Sequence, residues 1–361
     1  MGGRPEASEL LLRVGIVGCG TIANTHVPYI RQAGGHLVAV ADASVVQAND
    51  LADRYGIQRA YCSVSDLVEA EHPDVIHVLT PPHTHAEVAI PALERGIHVL
   101  VEKPMAVDPA EARAMRNAAV RGGALLCVDH NRLFDPVVLR ARQMVEDGRL
   151  GDVVAVESYQ AGSASERPWL GRLPGGGLGD LLPHPLYLLL HFLGDVEELH
   201  AMVLAGAGQK EPEELRVLMR AGACSGALTI SSRARPGINT LRICGTRMTL
   251  EVDLNNMTLV QRRDFQVPKP LAKVLPAVDA ARQLLLQTAG NAVAFAAGRV
   301  RYYPGMGILI RRFYGAIRER KEPPVAPEEG VRVVEITKRI WESASLAGAT
   351  EVASLRGEVA R

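Results

Sequence analysis

Cysteine is scarce in this chain, and the five present (Cys19, Cys62, Cys127, Cys224 and Cys244) are odd in number, scattered and without a C-x-x-C pair. That excludes a disulfide framework and a cysteine zinc site, and predicts a reducing, cytoplasmic setting. An excess of either charge is also missing, since 40 basic residues balance 40 acidic ones. Nothing here would draw in nucleic acid or an anionic membrane surface, so a small-molecule partner is expected. No run of eighteen apolar residues is free of charge, and no transmembrane segment is expected. Residues 1–10, MGGRPEASEL, lack the apolar core of a signal peptide and the Ser or Thr of a myristoylation signal. Residues 1–11 read as a tail, and the 361-residue length then leaves room for two or three domains.

What is present begins at residues 12–30, LRVGIVGCGTIANTHVPYI, where an apolar run breaks at glycines and resumes at helical spacing. Gly18, Gly20 and Ala23 fit G-x-G-x-x-G/A. The first glycine makes the turn, and the second admits a pyrophosphate to the helix N-terminus headed by Thr21 and Ile22. A second apolar run, HLVAVAD, ends in Asp42, whose carboxylate suits the two hydroxyls of an adenine ribose and repels a 2′-phosphate. NAD is therefore expected over NADP. Strand-like runs at 74–80, 98–103 and 124–130 alternate with helical patterns at 85–95 and 109–121. This predicts a doubly wound parallel sheet over residues 12–133. Ligands of such sheets lie at the carboxyl ends of the strands. In this register those ends carry Gly18 to Gly20, Asp42, Thr80, Pro81 and Pro82, Glu102 to Pro104, and His130, Asn131 and Arg132. Lys103 follows a buried strand, where a lowered pKa would suit an acid or base; a lysine closing a surface turn is the plainer reading. His26, His77, His83, His85 and His98 recur through this region without metal-site spacing, so no metal is expected.

From about residue 134 to 361 the pattern changes to a second α/β domain. A helix over 136–151 precedes strand-like runs VVAVESYQAG, LRVLMRA, GALTISSRA, TLRICG and MTLEVDLNNMTLVQ. These predict a mostly antiparallel open sheet with one solvated or subunit-facing side. Residues 267–303 form a helix-prone apolar insertion with Leu271, Val274, Leu275, Val278 and Leu285 at helical spacing. A helix packed on the domain or on a partner subunit is expected there, with a substrate cover or a membrane-surface helix as alternatives. The final IWESA helix is expected to pack on the core. Residues 163–174, SASERPWLGRLP, set Trp169 between Arg167 and Arg172 in a loop that reads as a lid or as ordinary surface. Next comes GGGLGDLLPHPLY (175–187), in which Asp180 and His184 are four residues apart and Pro183 and Pro185 flank the histidine. On one continuous helix the two would share a face. The prolines predict a helix starting near Pro183, with Asp180 ahead of it as a cap.

GCGTIA, TPPHTHAEVAIPALERGIHVLVEKPMAV, DHNRLFDP and RKEPPVAPEEGVRVVEI together resemble the glucose-fructose oxidoreductase and inositol dehydrogenase (Gfo/Idh/MocA) family over roughly residues 12–347. The resemblance implies that Lys103 of the E-K-P triplet reaches the substrate beside the nicotinamide, that Pro104 follows a cis peptide, and that Asp180 and His184 complete the catalytic group. It places cofactor contacts at Gly18, Gly20, Thr21, Ile22, Asp42, Thr80, Pro81, Pro82, His85, Glu102, Lys103 and Asn131, with core packing as the alternative for His85. Substrate contacts fall to Arg132, Trp169 and Tyr187. Two positions depart from the family pattern: Leu182 stands where it has glycine, and Tyr187 where it has a final aspartate. The implied activity is NAD-dependent hydride transfer at a secondary alcohol or ketone of a sugar, cyclitol or nucleotide sugar, by a homodimer or homotetramer paired through the open sheet. Transient oxidation with elimination or hydrolysis, and a non-catalytic NAD-binding regulator, are the other readings. Lys103 together with His184 separates an enzyme from the regulator.

Overall fold

The computed structural model describes residues 11–163, 167–205, 212–298 and 303–358, with side chains of 346–358 excepted. Residues 1–10 of the predicted tail, residues 164–166 of the predicted lid and residues 299–302 of the insertion lie outside the described residues. Two compact units emerge.

The first unit holds a six-stranded parallel sheet of order β3-β2-β1-β4-β5-β6, with β1 Leu12–Val17, β2 Gly35–Ala41, β3 Ala60–Tyr61, β4 Val75–Val78, β5 His98–Val101 and β6 Leu126–Val128. Helices α1 Ala23–Gln32, α2 Val45–Tyr55, α3 Val64–Glu71, α4 His85–Glu94 and α5 Pro109–Gly122 make the crossovers. Val14, Ile16, Ile76, Val99 and Leu100 are completely buried, as strands covered on both faces require. Ser44 caps α2 by accepting the Gln47 N–H, and Asp108 caps α5 by accepting the Ala110 N–H ahead of Pro109. Strand order reverses between β1 and β4, which opens the ligand crevice of this fold at the end of β1.

The second unit is built on a seven-stranded sheet of order β13-β12-β11-β7-β10-β9-β8. Its strands are β7 Val153–Ala161, β8 Glu198–Leu204, β9 Glu214–Ala221, β10 Cys224–Ser231, β11 Ile238–Gly245, β12 Met248–Asp253 and β13 Thr258–Arg263. Every pairing is antiparallel except β7 with β10. Strand β8, ELHAMVL, escapes the pattern reading because it scarcely alternates. Helices α6 Pro136–Glu146, α7 Gly177–Leu181, α8 Pro183–Leu193, α9 Lys269–Ala272 and α10 Leu275–Ala296 belong here. The apolar α8 approaches the sheet at Gly226, where a Cβ would come within 2.7 Å of Leu193 Cδ2. Along β9, Leu215, Val217 and Met219 are buried while Arg216, Leu218 and Arg220 face outward.

The insertion is helical as predicted, and α10 lies along the outer edge of β13. Gln287 Oε1 accepts the Leu259 N–H and its Nε2 donates to the Leu259 carbonyl; Gln283 repeats both bonds at Gln261. Asn291 Nδ2 donates to the carbonyls of Asn256 and Met257. Val278, Leu285 and Phe295 of the same helix are exposed.

The chain divides differently from a single boundary near residue 134. After α10, Gly305–Glu335 returns to the first unit, carrying most of α11 Pro304–Glu319 and the start of α12 Pro327–Glu358. Phe313, Tyr314, Leu309 and Ile310 are buried there. Two glycines make the fit: a Cβ on Gly35 would meet Tyr314 at 2.9 Å, and one on Gly307 would meet Tyr29 at 2.8 Å. Such a return leaves no periodicity signal. In the second unit Ile340 and Ala344 of α12 are buried, as expected of the last helix. No helix among the described residues is long and apolar enough to cross a membrane.

Candidate active site

The glycine turn is shaped by its surroundings. Gly18 has φ +97°, and a Cβ there would lie 2.6 Å from the Leu79 carbonyl carbon and 2.7 Å from the Thr80 nitrogen. Around Gly20 a Cβ would meet nothing within 4 Å. The first glycine is thus required by the protein itself, whereas the second leaves room for a ligand. Asp42 joins the turn to β2: its Oδ2 accepts the Cys19 N–H and its Oδ1 the Ser44 N–H, both at 2.8 Å. Each oxygen keeps a lone pair for a ribose hydroxyl. Burial and the Asp42 charge push the Cys19 thiol up to about 12, so it is no nucleophile. These features fit a dinucleotide.

At the ends of β4 and β5 the structure sets Thr80, Pro81 and Pro82 near the E-K-P turn, and the Lys103–Pro104 peptide is cis. His85 joins the two turns. It is completely buried, with Nδ1 3.0 Å from the Pro104 carbonyl and Nε2 2.8 Å from the Thr80 carbonyl. Burial lowers its pKa although both carbonyls favour a proton. The ring thus ties the Thr80 turn to the E-K-P turn, in keeping with the packing alternative for His85. Beyond β6, His130 is buried and pushed down to about 3 by that burial, and Asn131 is nearly buried beside it.

Glu102 was expected only as a cofactor contact, and it turns out to anchor a buried cluster. His26 Nε2 lies 3.1 Å from Glu102 Oε1 and 3.5 Å from Asp129 Oδ2, the latter an ion-pair distance beyond a well-formed hydrogen bond. Behind it, His26 Nδ1 is 3.0 Å from His77 Nδ1, and His77 Nε2 is 2.9 Å from Tyr314 Oη. Burial opposes charge on His26, but hydrogen bonds and charges of Asp129 and Glu102 carry it up to about 9. Asp129 is raised to about 7 by burial and by the Glu102 charge. Glu102 is lowered, the His26 bond and charge outweighing burial. Sequence spacing offers no sign of this cluster, because its members come from five places in the fold: α1, β4, the ends of β5 and β6, and α11.

In the second unit the GGGLGDLLPHPLY stretch is helical from Gly177. Gly175 and Gly176 have φ +74° and +54°, and a Cβ on Gly175 would run into the Trp341 ring, one on Gly179 into the Pro174 carbonyl. Asp180 sits on α7, not in an extended cap. Leu182 joins the two helices in αR geometry (φ −55°, ψ −41°), and Leu182 N–H and Leu186 N–H bond four residues back. Pro183 and Pro185 remove two hydrogen bonds without turning the backbone away. Helix α8 still starts at Pro183 as predicted.

His184 Nδ1 lies 2.9 Å from Tyr187 Oη, and the same Oη accepts the Arg132 backbone N–H at 3.2 Å. Tyr187 is 2 % exposed. Its buried hydroxyl links His184 to the Arg132 main chain. The Arg132 guanidinium is 3.7 Å from Asp135. Trp169 lies half-buried under the Arg167 guanidinium at 5.6 Å. Lys103 and the cofactor candidates belong to the first unit; Arg132, Trp169, Asp180, His184 and Tyr187 belong to the second.

Residues 12–130 match the family described as "Oxidoreductase family, NAD-binding Rossmann fold", and residues 138–251 match "GFO/IDH/MocA C-terminal domain". The chain is 33 % identical over 190 residues to D-glucoside 3-dehydrogenase of Escherichia coli, covering 51 % of this chain and 54 % of that protein. It is 32 % identical over 214 residues to 1,5-anhydro-D-fructose reductase of Ensifer adhaerens, covering 56 % and 63 %. These matches span little more than half the length of either relative. In fold it is similar to the WlbA dehydrogenase from Bordetella pertussis in complex with NADH and UDP-GlcNAcA, with TM-score 0.79, 21 % identity, and 94 % and 97 % of the two chains covered.

Proposed function

The chain belongs to the Gfo/Idh/MocA oxidoreductase family, and from that premise we propose that it is an NAD-dependent dehydrogenase or reductase of a secondary alcohol or ketone on a sugar, cyclitol or nucleotide sugar. The observation that carries an enzymatic reading is the hold on His184, whose Nδ1 is engaged by a buried Tyr187 hydroxyl that is itself bonded to the Arg132 N–H. A regulator that only senses NAD has no use for an imidazole fixed in this way. The nicotinamide supplies two-electron exchange with the substrate carbon. Protons are the chain's task. With Nδ1–H donating to Tyr187 Oη, His184 Nε2 accepts the alcohol proton as the C–O bond becomes C=O, and returns it in reduction. Lys103 holds the reacting oxygen, and Asp180 orients His184 or a substrate hydroxyl. Gly18, Gly20, Thr21, Ile22, Asp42, Thr80 to Pro82, Glu102 and Asn131 form the cofactor side, with Asp42 favouring NAD over NADP. Trp169 and Arg132 border the substrate. Pairing occurs through the outward face of the seven-stranded sheet, where Met202 and Leu218 are exposed.

Sugars, cyclitols and nucleotide sugars are to be screened for NADH production. On the substrate found, Lys103→Ala and His184→Ala should each lower turnover by roughly two to four powers of ten, with NADH affinity from fluorescence titration unchanged. Near-wild-type turnover in both variants would refute the dehydrogenase assignment and leave an NAD-binding scaffold.

A further inference from the structure

Two carboxylates and an imidazole are buried together beneath the E-K-P turn, and none of them carries the substrate proton in the proposed alcohol chemistry. His26 on α1 and Asp129 past β6 are completely buried, and Glu102 past β5 is 9 % exposed. One polar atom of each lies within 4.8 Å of the other two. Two carboxylates that close, away from water, cannot both stay charged without a cation between them. The ring nitrogen facing both is His26 Nε2. It lies 3.1 Å from Glu102 Oε1. On the far side of the ring, Nδ1 lies 3.0 Å from His77 Nδ1, and His77 Nε2 lies 2.9 Å from Tyr314 Oη; with a proton on each His26 nitrogen, His26 Nδ1–H donates to His77 and His77 Nε2–H to Tyr314. A neutral His77 accepts on one nitrogen and donates from the other, so the chain is satisfied throughout with His26 doubly protonated. Burial and the His26 charge depress the His77 pKa, in keeping with that assignment.

We propose that His26 is a buried imidazolium and a positioning residue for Lys103: it fixes the Glu102 carboxylate, whose Oε2 accepts the Lys103 backbone N–H at 3.1 Å, and Asp129 completes the triad as a neutral acid. The protein thereby sets its E-K-P turn from below, through a charge that solvent does not reach. The link to catalysis rests on the role proposed for Lys103; the protonation state and the grip on the Lys103 peptide do not.

Two measurements on the full chain test this. Nitrogen-15 spectra of the histidine rings at about pH 6.5 should show both His26 nitrogens protonated and one bare nitrogen on His77. A neutral His26, or one equivalent of bound metal by elemental analysis, would overturn the proposal. Reductive methylation with formaldehyde and cyanoborohydride, followed by peptide mass spectrometry, reads the Lys103 amine directly. His26→Gln, with His26→Asn in reserve should it misfold, should change the Lys103 rate severalfold while Lys269, Lys273 and Lys321 react as in wild type. Asp129→Asn, which keeps the shape of the neutral acid, should leave Lys103 unaltered. An unchanged Lys103 rate in the His26 variant sinks the positioning role. Neither readout uses a substrate, so the result stands whether or not Lys103→Ala abolishes turnover.

Discussion

Replacing each of the two turn glycines by alanine should separate folding from cofactor binding. A Cβ at Gly18 meets main-chain atoms of Leu79 and Thr80 at 2.6 to 2.8 Å, where carbon contacts relax only at about 3.5 Å or more. The end of β4 must therefore shift by most of an ångström. Overpacking of that kind costs about 1–3 kcal/mol, and an L-residue held at φ +97° adds about 1–2 kcal/mol. The expected loss for Gly18→Ala is about 2–5 kcal/mol, a large share of the stability of a typical domain. Gly20→Ala meets no atom and should cost less than about 1 kcal/mol. Its methyl group nevertheless stands where a pyrophosphate would approach the turn, so NADH affinity should fall by about tenfold or more. Urea denaturation and NADH fluorescence titration on both variants give the four numbers needed. A Gly18→Ala protein as stable as wild type, or a Gly20→Ala protein that binds NADH normally, would refute the reasoning.

Three further outcomes are expected. Asp42→Ala should narrow the preference for NAD over NADP by calorimetry, because it removes a ribose acceptor and the charge that repels a 2′-phosphate; a wild-type preference for NADP would count against Asp42. Stability should fall as pH rises from about 6.5 to 9: His26 goes from 6.5 when unfolded to about 9 when folded, so its contribution is fully present below 6.5 and lost through 9. That rise is worth on the order of 3 kcal/mol. Asp129, also raised, acts in the same direction below pH 7; denaturation curves that stiffen with rising pH would contradict both assignments, and His26→Gln should flatten the upper limb. Tyr187→Phe should lower turnover on the screened substrate by about tenfold or more and alter its pH profile, whereas Tyr187 as a mere packing residue would shift stability alone.

Local chemistry was legible in the sequence, and long-range geometry was not. The turn at Gly18, the carboxylate of Asp42 and the E-K-P triplet announce themselves because each sits within a few residues of the strand end that positions it. His26, Glu102 and Asp129 are separated by 76 and 27 positions and meet only because β1, β5 and β6 end at the same sheet edge. Prolines at 183 and 185 pointed to a break before His184, yet a missing N–H does not forbid αR backbone, and Leu182 carries the helical path onward. Tyr187 read as a substituted pocket residue. Its depth and its bond to His184 are set by the fold and leave no trace in the spacing of the sequence. Nothing in residues 305–335 betrayed their membership of the first unit, since the fit to Gly35 and Gly307 depends on the absence of side chains.

Across to β13, the amides of Gln283 and Gln287 bond main-chain N–H and C=O groups at Gln261 and Leu259, and the Arg263 guanidinium adds an ion pair to Asp279 at 3.6 Å. The amide rungs themselves do not depend on which side chains Leu259 and Gln261 carry. The ladder is also self-limiting. Four helical residues advance about 6.0 Å, while two strand residues advance about 6.7 Å, and the rungs fall out of step as they accumulate. The third, Asn291, already has a shorter arm and reaches the turn before β13 instead of the strand. A side-chain ladder of this kind occupies the edge N–H and C=O groups with which a further strand would have paired, and so ends the sheet at β13.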